Sequence, residues 1–154
     1  MSKPATCLSA ILFAGTATAA VAAAKEGRAV PRLTPAAAVA GHCAAWNATS
    51  RIERDRQLAR VFAPDGVYND PTPTYVTGRA ALSAEIADFH RQYPGFRFRC
   101  STPQIHHHAM RVSWLLLRPD GKVRLEGTDF YQLAPDGLIR RVTGFFGPPP
   151  KVMP

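Results

Sequence analysis

Two aspartates and one histidine stand where their side chains could do chemistry. Asp70 ends a short β-branched and aromatic run, Val67-Tyr68-Asn69, and precedes Pro71, which has no N–H to continue a ladder. A carboxylate there is held by strand backbone on one side and a rigid turn on the other, which aims it instead of merely solvating it. Asn-Asp-Pro is equally a turn signal, so Asp70 alone reads either as a turn former or as an acid aimed into a pocket. Asp129 is placed by parity. Val123, Leu125, Gly127, Asp129, Tyr131 and Leu133 share one face of a strand, and Arg124, Glu126, Thr128, Phe130 and Gln132 share the other. The first set is apolar apart from Asp129 and the Tyr131 hydroxyl, so Asp129 is expected on the buried face. There its pKa rises and it can stay protonated near neutrality and donate a hydrogen bond; the alternative is an Asp tied to buried backbone or to an Arg. His42 lies on the helical stripe Val39, His42, Cys43, Trp46 and faces inward, where a lone histidine is most often a satisfied core residue.

Other chemistries find less support. His106-His107-His108 invites a metal, but an extended strand puts His107 on the face opposite its neighbours, and no Cys or carboxylate stands at ligand spacing nearby. A strand start near a hairpin is the expected role. There is no glycine-rich phosphate loop and no nucleophile elbow, and Ser101 and Ser113 lack an adjacent base motif. The formal charge is +8, with 15 Arg and four Lys scattered along the chain. Scattered charge without interleaved aromatics is the pattern of a solvated surface and not of a nucleic-acid platform, and it leaves acidic polymers and small anions equally open as partners.

The elements that must position these residues follow from pattern. Thr34-Pro35 reads as the N-cap and first residue of a helix running to about Asn47. Ser50-Arg51-Ile52-Glu53 has the form of a capping box and opens a second helix, with Leu58, Val61 and Phe62 inward, which stops at the turn Ala63-Pro64-Asp65-Gly66. Thr77 is expected to cap a third, with stripe Leu82, Ile86, Phe89, Tyr93, ending at Pro94-Gly95. From there apolar residues alternate: Phe96, Phe98, Cys100; then Met110, Val112, Trp114, Leu116. Two Pro-Asp-Gly turns, Pro119-Asp120-Gly121 and Pro135-Asp136-Gly137, join the runs Val123–Leu133 and Leu138–Phe146 into a meander. Helices first and an antiparallel sheet after predict an α+β domain with its helices on one face.

A chain of 154 residues has room for one such core. Residues 1–24 fall outside it: Lys3 precedes an apolar segment centred on Leu8, Ile11, Leu12 and Phe13, followed by Ala-x-Ala sites, the layout of a secretory signal. Cleavage is expected after Ala24, with Ala19 the alternative; the segment is too weakly apolar past Phe13 to favour a retained anchor. Residues 25–34 read as a flexible leader, 35–147 as the domain and 148–154 as a proline-rich tail. Cleavage removes Cys7 and leaves Cys43 and Cys100, either a disulfide of an exported protein or two buried thiols.

Four segments carry a resemblance: His42-Cys43-Ala44-Ala45-Trp46-Asn47; Val61 through Asp65-Gly66-Val67-Tyr68-Asn69-Asp70-Pro71; Gly78-Arg79-Ala80-Ala81-Leu82; and Thr128-Asp129-Phe130 through Gly144-Phe145-Phe146-Gly147. In these the chain resembles the nuclear-transport-factor-2-like superfamily, and within it the SnoaL-like proteins and ketosteroid isomerases. The resemblance implies a curved, cone-shaped antiparallel sheet packed against three helices, a cystatin-like α+β roll open at one end to an apolar cavity. It also implies roles: Asp70 in the place of a proton-shuttling acid, Asp129 in that of a protonated, hydrogen-bond-donating acid, and His42 where the isomerases carry an oxyanion tyrosine. Trp46, Tyr68, Phe89, Trp114 and Tyr131 are the expected ligand-binding side chains. The implied function is an exported, periplasmic or secreted domain binding a small, largely apolar carbonyl compound and acting as a cofactor-independent isomerase or cyclase. The alternatives are a non-catalytic carrier or sensor, and an interaction module that pairs into a homodimer. Neither nucleic acid nor stable membrane insertion after cleavage is implied.

Overall fold

A computed structural model describes residues 32–107 and 109–151. The expected signal segment with Cys7, the leader to residue 31, His108 and residues 152–154 lie outside the described residues.

Helix α1 (Pro35–Asn47) opens as its sequence predicts, with Thr34 Oγ1 accepting the Ala37 N–H at 3.2 Å and Pro35 in the first turn. Helix α2 (Arg51–Val61) follows without the expected capping box. Ser50 makes no side-chain cap bond, and the Glu53 carboxylate is held by Arg56 and Gln57 instead of reaching back to the Ser50 N–H. The fastening is done by Arg54, which is buried and donates to the carbonyls of Ala48 and Thr49 and to Ser83 Oγ. It thereby ties the end of α1 and helix α3 (Arg79–Gln92) to α2.

Ala63-Pro64-Asp65-Gly66 is not a turn but part of strand β1 (Phe62–Asn69). The pairing slips register between Phe62 and Val67, and Pro64 and Asp65 are the exposed residues of that irregularity, where a residue without an N–H is tolerated. Strand β2 (Tyr75–Thr77) pairs with β1 and includes Thr77, whose backbone faces Val67. Gly78 therefore takes the N-cap position of α3, without a side-chain bond.

The remaining strands are β3 (Arg97–Cys100), β4 (Gln104–His106), β5 (Ala109–Leu117), β6 (Val123–Leu133) and β7 (Ile139–Phe146). The sheet order is β2-β1-β7-β6-β5-β3, with β4 also on β5; His106 ends β4 and His107, at φ 52°, lies in the turn that follows. One seam corrects the expectation of a wholly antiparallel sheet: β1 runs parallel to β7. A hairpin imposes antiparallel pairing only on neighbours in sequence, and α3 with the other strands lies between these two. The domain is thus α+β, three helices against a curved mixed sheet. Leu58, Leu82 and Ile86 from the helices and Phe62, Val112, Ile139 and Val142 from the sheet form its fully buried centre.

Two links fasten α1 to the edge strand β3. Cys43 and Cys100 form a disulfide with Cα atoms 6.4 Å apart, which settles the two-thiol alternative. Four residues on, Asn47 Nδ2 donates to the Phe98 carbonyl at 2.9 Å and its Oδ1 accepts the Phe98 N–H at 2.7 Å. The side-chain amide pairs with the edge backbone as a further strand would.

Candidate active site

Helix α1, the end of β1, helix α3 and the inner faces of β3, β5 and β6 enclose a cavity of about 340 Å³. Its deep part is built on β6. Asp129 pairs across the sheet with Val112 on one side and Gly144 on the other, and it is 9% exposed. Trp114 stands opposite Gly127, and the glycine lets the indole lie flat over the strand: a Cβ there would be 2.2 Å from Trp114 Cζ2. So laid, Trp114 Nε1 donates to Asp129 Oδ1 at 2.8 Å, while the Tyr131 hydroxyl donates to Oδ2 at 3.3 Å. Burial is the main cause that raises the Asp129 pKa from 3.8 to about 6; the Trp114 and Tyr131 hydrogen bonds pull it down, and the charge of Asp70 pushes it up.

His42 is 2% exposed, and burial lowers its pKa from 6.5 to about 4, so the ring is neutral at neutral pH. Its hydrogen bonds fix the tautomer. Trp46 Nε1 can only donate, so His42 Nε2, 3.3 Å away, must be the acceptor. The ring proton then sits on Nδ1 and is donated to the Tyr131 oxygen at 3.0 Å. Burial and the nearby Asp129 raise the Tyr131 pKa well above 10, which keeps its hydroxyl proton in place. Trp46, His42, Tyr131 and Asp129 therefore form one hydrogen-bond chain with every donor pointing toward the carboxyl.

Asp70 satisfies both of its sequence readings at once. Its Oδ1 accepts the Thr72 N–H at 2.9 Å and the Thr72 hydroxyl, forming a turn, while Oδ2 accepts the Tyr68 hydroxyl at 3.1 Å and the residue lines the cavity. The two acids flank Gly144, where a Cβ would lie 3.1 Å from Asp129 Oδ1 and 3.3 Å from the Asp70 Cβ.

Asp70, Asp129 and His42 thus converge on one cavity, and Trp46, Tyr68, Phe89, Trp114 and Tyr131 line it as well. His42 has both nitrogens engaged inside the protein, so it holds Tyr131 and has no free donor for a bound molecule. Phe98, Phe146 and Glu85, not among the side chains expected from the sequence, also line the cavity. Phe98 was on the apolar row of its strand, but which side of the sheet that row faced depended on pairing between distant segments. Glu85 carried a signal in its place one turn before Phe89 on α3.

Three helices packed against a curved mixed sheet place the chain in the nuclear-transport-factor-2-like fold class. The chain belongs to the SnoaL-like domain family, whose model matches residues 39–142. Among solved structures it is similar to a SnoaL-like family protein from Agrobacterium tumefaciens assigned as an isomerase, at 31% identity over 72% of this chain and 95% of that one, TM-score 0.68. A protein from Kribbella flavida assigned as a ketosteroid isomerase shares 24% identity over 78% and 82% of the two chains, TM-score 0.55. A protein of ketosteroid-isomerase-like fold from Catenulispora acidiphila, in complex with trimethylamine, shares 16% identity over 74% and 88%, TM-score 0.60. At those identities the latter two show the fold alone. No curated protein sequence matches the chain significantly.

Proposed function

We propose that the chain binds a small, largely apolar carbonyl compound in this cavity and moves a proton on it, as an isomerase or cyclase. The observation that carries the reading is that two acids flank Gly144 and line one cavity in unequal settings, Asp70 half-buried with its carboxyl in a polar turn, Asp129 buried with its pKa raised. Asp70 is the base. Its oxygens accept only from neutral donors and it reaches the cavity, so it can take a proton from the carbon beside the carbonyl and return it one position along. Asp129 in its protonated form is the donor to the oxygen on which charge develops, with Trp114 and Tyr131 fixing both of its oxygens. His42 and Trp46 are positioning residues that orient Tyr131.

The test is deuterium exchange at the α-carbon of small enolisable ketones, followed by proton NMR in deuterium oxide. Exchange above buffer is expected from the wild type and a loss of about a hundredfold or more from Asp70→Asn. Equal exchange by both proteins would end the catalytic reading. A carrier or sensor is the second reading, favoured by the complete internal satisfaction of His42; it predicts binding with no exchange at all.

We also propose export, on the layout of residues 1–24; an intact Met1 in protein recovered from cells would refute it. Pairing of two copies is supported by Phe130 and Phe145, packed on each other on the sheet face away from the cavity and 47% and 54% exposed. Sedimentation as a monomer would refute that.

A further inference from the structure

The cavity carries the opposite charge pattern to the chain around it. Among the described residues no Lys or Arg lines it, whereas Asp70, Glu85 and Asp129 all do. Among the described residues the ion pairs engage Asp55, Glu53, Asp88 and Asp120, and so leave these three acids without a cationic partner. Their hydrogen bonds come from neutral groups only: Tyr68 and Thr72 for Asp70, Thr74 for Glu85 at 3.1 Å, Trp114 and Tyr131 for Asp129.

Between the acids the wall is aromatic. Trp46 is the hub, with its ring centroid 5.3 Å from that of Tyr68, 5.8 Å from Phe89 and 5.5 Å from Phe98. Trp114 extends the wall at 5.6 Å from Phe98. Glu85 stands one turn before Phe89 on α3, so a carboxyl-bearing and an aromatic residue border the cavity from the same side of that helix. The negative face of an aromatic ring attracts a cation within about 6 Å, and more strongly when water is excluded. A neutral carbonyl compound would use Asp70 and Asp129 but leave Glu85 without a role. An anion would meet like charge and find no cation to offset it.

We propose that the ligand carries a positively charged nitrogen, a tertiary or quaternary ammonium group lodged against Trp46 and Phe89 beside Glu85. This rests on the cavity being the ligand site, and it narrows the carbonyl compound of the preceding section to a cationic one, its oxygen toward Asp129 and its ammonium toward α3. Alkylated nitrogen fits better than a primary ammonium, whose three N–H groups would need acceptors that rings do not supply. The net charge of +8 repels a cation at long range. That repulsion is screened over about 8 Å in physiological salt, while Glu85 and the rings act at contact.

Trp46 and Trp114 are the two tryptophans of the chain and both line the cavity, so intrinsic fluorescence reports its occupancy. The full chain is titrated with acetonyltrimethylammonium and with methyl neopentyl ketone, two enolisable ketones of the same shape that differ by a charged nitrogen in place of a carbon. The cation is expected to bind at least about tenfold more tightly, and Glu85→Gln is expected to reduce that preference several-fold. Equal affinities, or tighter binding of the neutral ketone, would overturn the inference and leave the cavity standing as a ligand site. A preference of the same size in wild type and Glu85→Gln would also overturn it, since the charge would then be read elsewhere. Failure of both ketones to bind would overturn the inference and the site together. Absence of α-deuterium exchange with the preference intact would remove the proton-transfer reading and uphold the cation site.

Discussion

The buried Asp129–Tyr131–His42 chain makes a prediction about stability that needs no ligand. Folding raises the Asp129 pKa from 3.8 to about 6, so the native state holds this proton where the unfolded chain has released it. Stability from that difference is fully present below the unfolded value and is lost as pH rises through about 6; two units at about 1.4 kcal/mol each amount to about 3 kcal/mol. His42 runs the other way. Its pKa falls from 6.5 to about 4 on folding, so its contribution is present above 6.5 and is lost as pH falls through about 4, again by about 3 kcal/mol. In the wild type the two slopes oppose each other between about pH 4 and 6 and largely cancel. Single substitutions separate them. Asp129→Asn keeps an oxygen for Trp114 but does not titrate, so urea unfolding should show the variant gaining about 3 kcal/mol on the wild type between about pH 4 and 7. His42→Gln should gain a similar amount on the wild type in the opposite direction, as pH is lowered. A difference between Asp129→Asn and wild type that stays constant across this range would refute the burial argument, whatever its absolute size.

Other perturbations probe the frame that holds the site. Reduction of Cys43–Cys100, or its replacement by two serines, opens a loop of 57 residues and should cost about 4 kcal/mol in urea unfolding. Gly127→Ala would set a methyl 2.2 Å from Trp114 Cζ2 and 2.4 Å from the Phe145 carbonyl oxygen, and the backbone oxygen cannot yield. A loss of about 3 kcal/mol with a shifted tryptophan emission is expected, and an unchanged spectrum would show that Trp114 does not lie over Gly127. Gly144→Ala meets Asp129 Oδ1 and the Asp70 Cβ only at 3.1 and 3.3 Å, so the fold should survive while the acids are pushed apart. Carboxyl carbon NMR should then show a displaced Asp129 titration, and an unmoved one would refute the contact across Gly144.

The parts legible in the sequence are those fixed by neighbours along the chain. Thr34-Pro35 sets the start of α1 by local hydrogen bonding, and the parity of Val123 to Leu133 sets which side chains of β6 turn inward, because strand geometry leaves only two choices. Pro64 misled because its local preference for a turn was overruled by pairing with β7, about 75 residues away in sequence. The capping box at Ser50 did not form because Glu53 is engaged by Arg56 and Gln57, and the start of that helix is held instead by buried Arg54 through the carbonyls of Ala48 and Thr49 and Ser83 of α3. At the site, each acid was visible but the distance between them was not. Gly127 and Gly144 were the overlooked signal. A glycine inside a strand marks close approach, and these two admit the Trp114 ring and, at Gly144, Asp129 Oδ1 beside the Asp70 Cβ.

The direction of the hydrogen-bond chain says why His42 stands where it does. An indole N–H can only donate, so Trp46 forces the acceptor role on His42 Nε2, and the imidazole relays a donor from its other edge to Tyr131. A tyrosine at position 42 could not accept from Trp46 and donate to Tyr131 along these same two lines, since one oxygen would replace two ring nitrogens on opposite edges. A protonated His42 would instead set an N–H against the N–H of Trp46, which adds to the cost that burial already imposes on the charged ring. The chain ends on Asp129, its one group able to take up a further charge change near neutral pH. A ligand that touches Trp46 or Tyr131 can therefore shift the network's geometry, but a change of charge within the network near neutral pH falls on the Asp129 carboxyl.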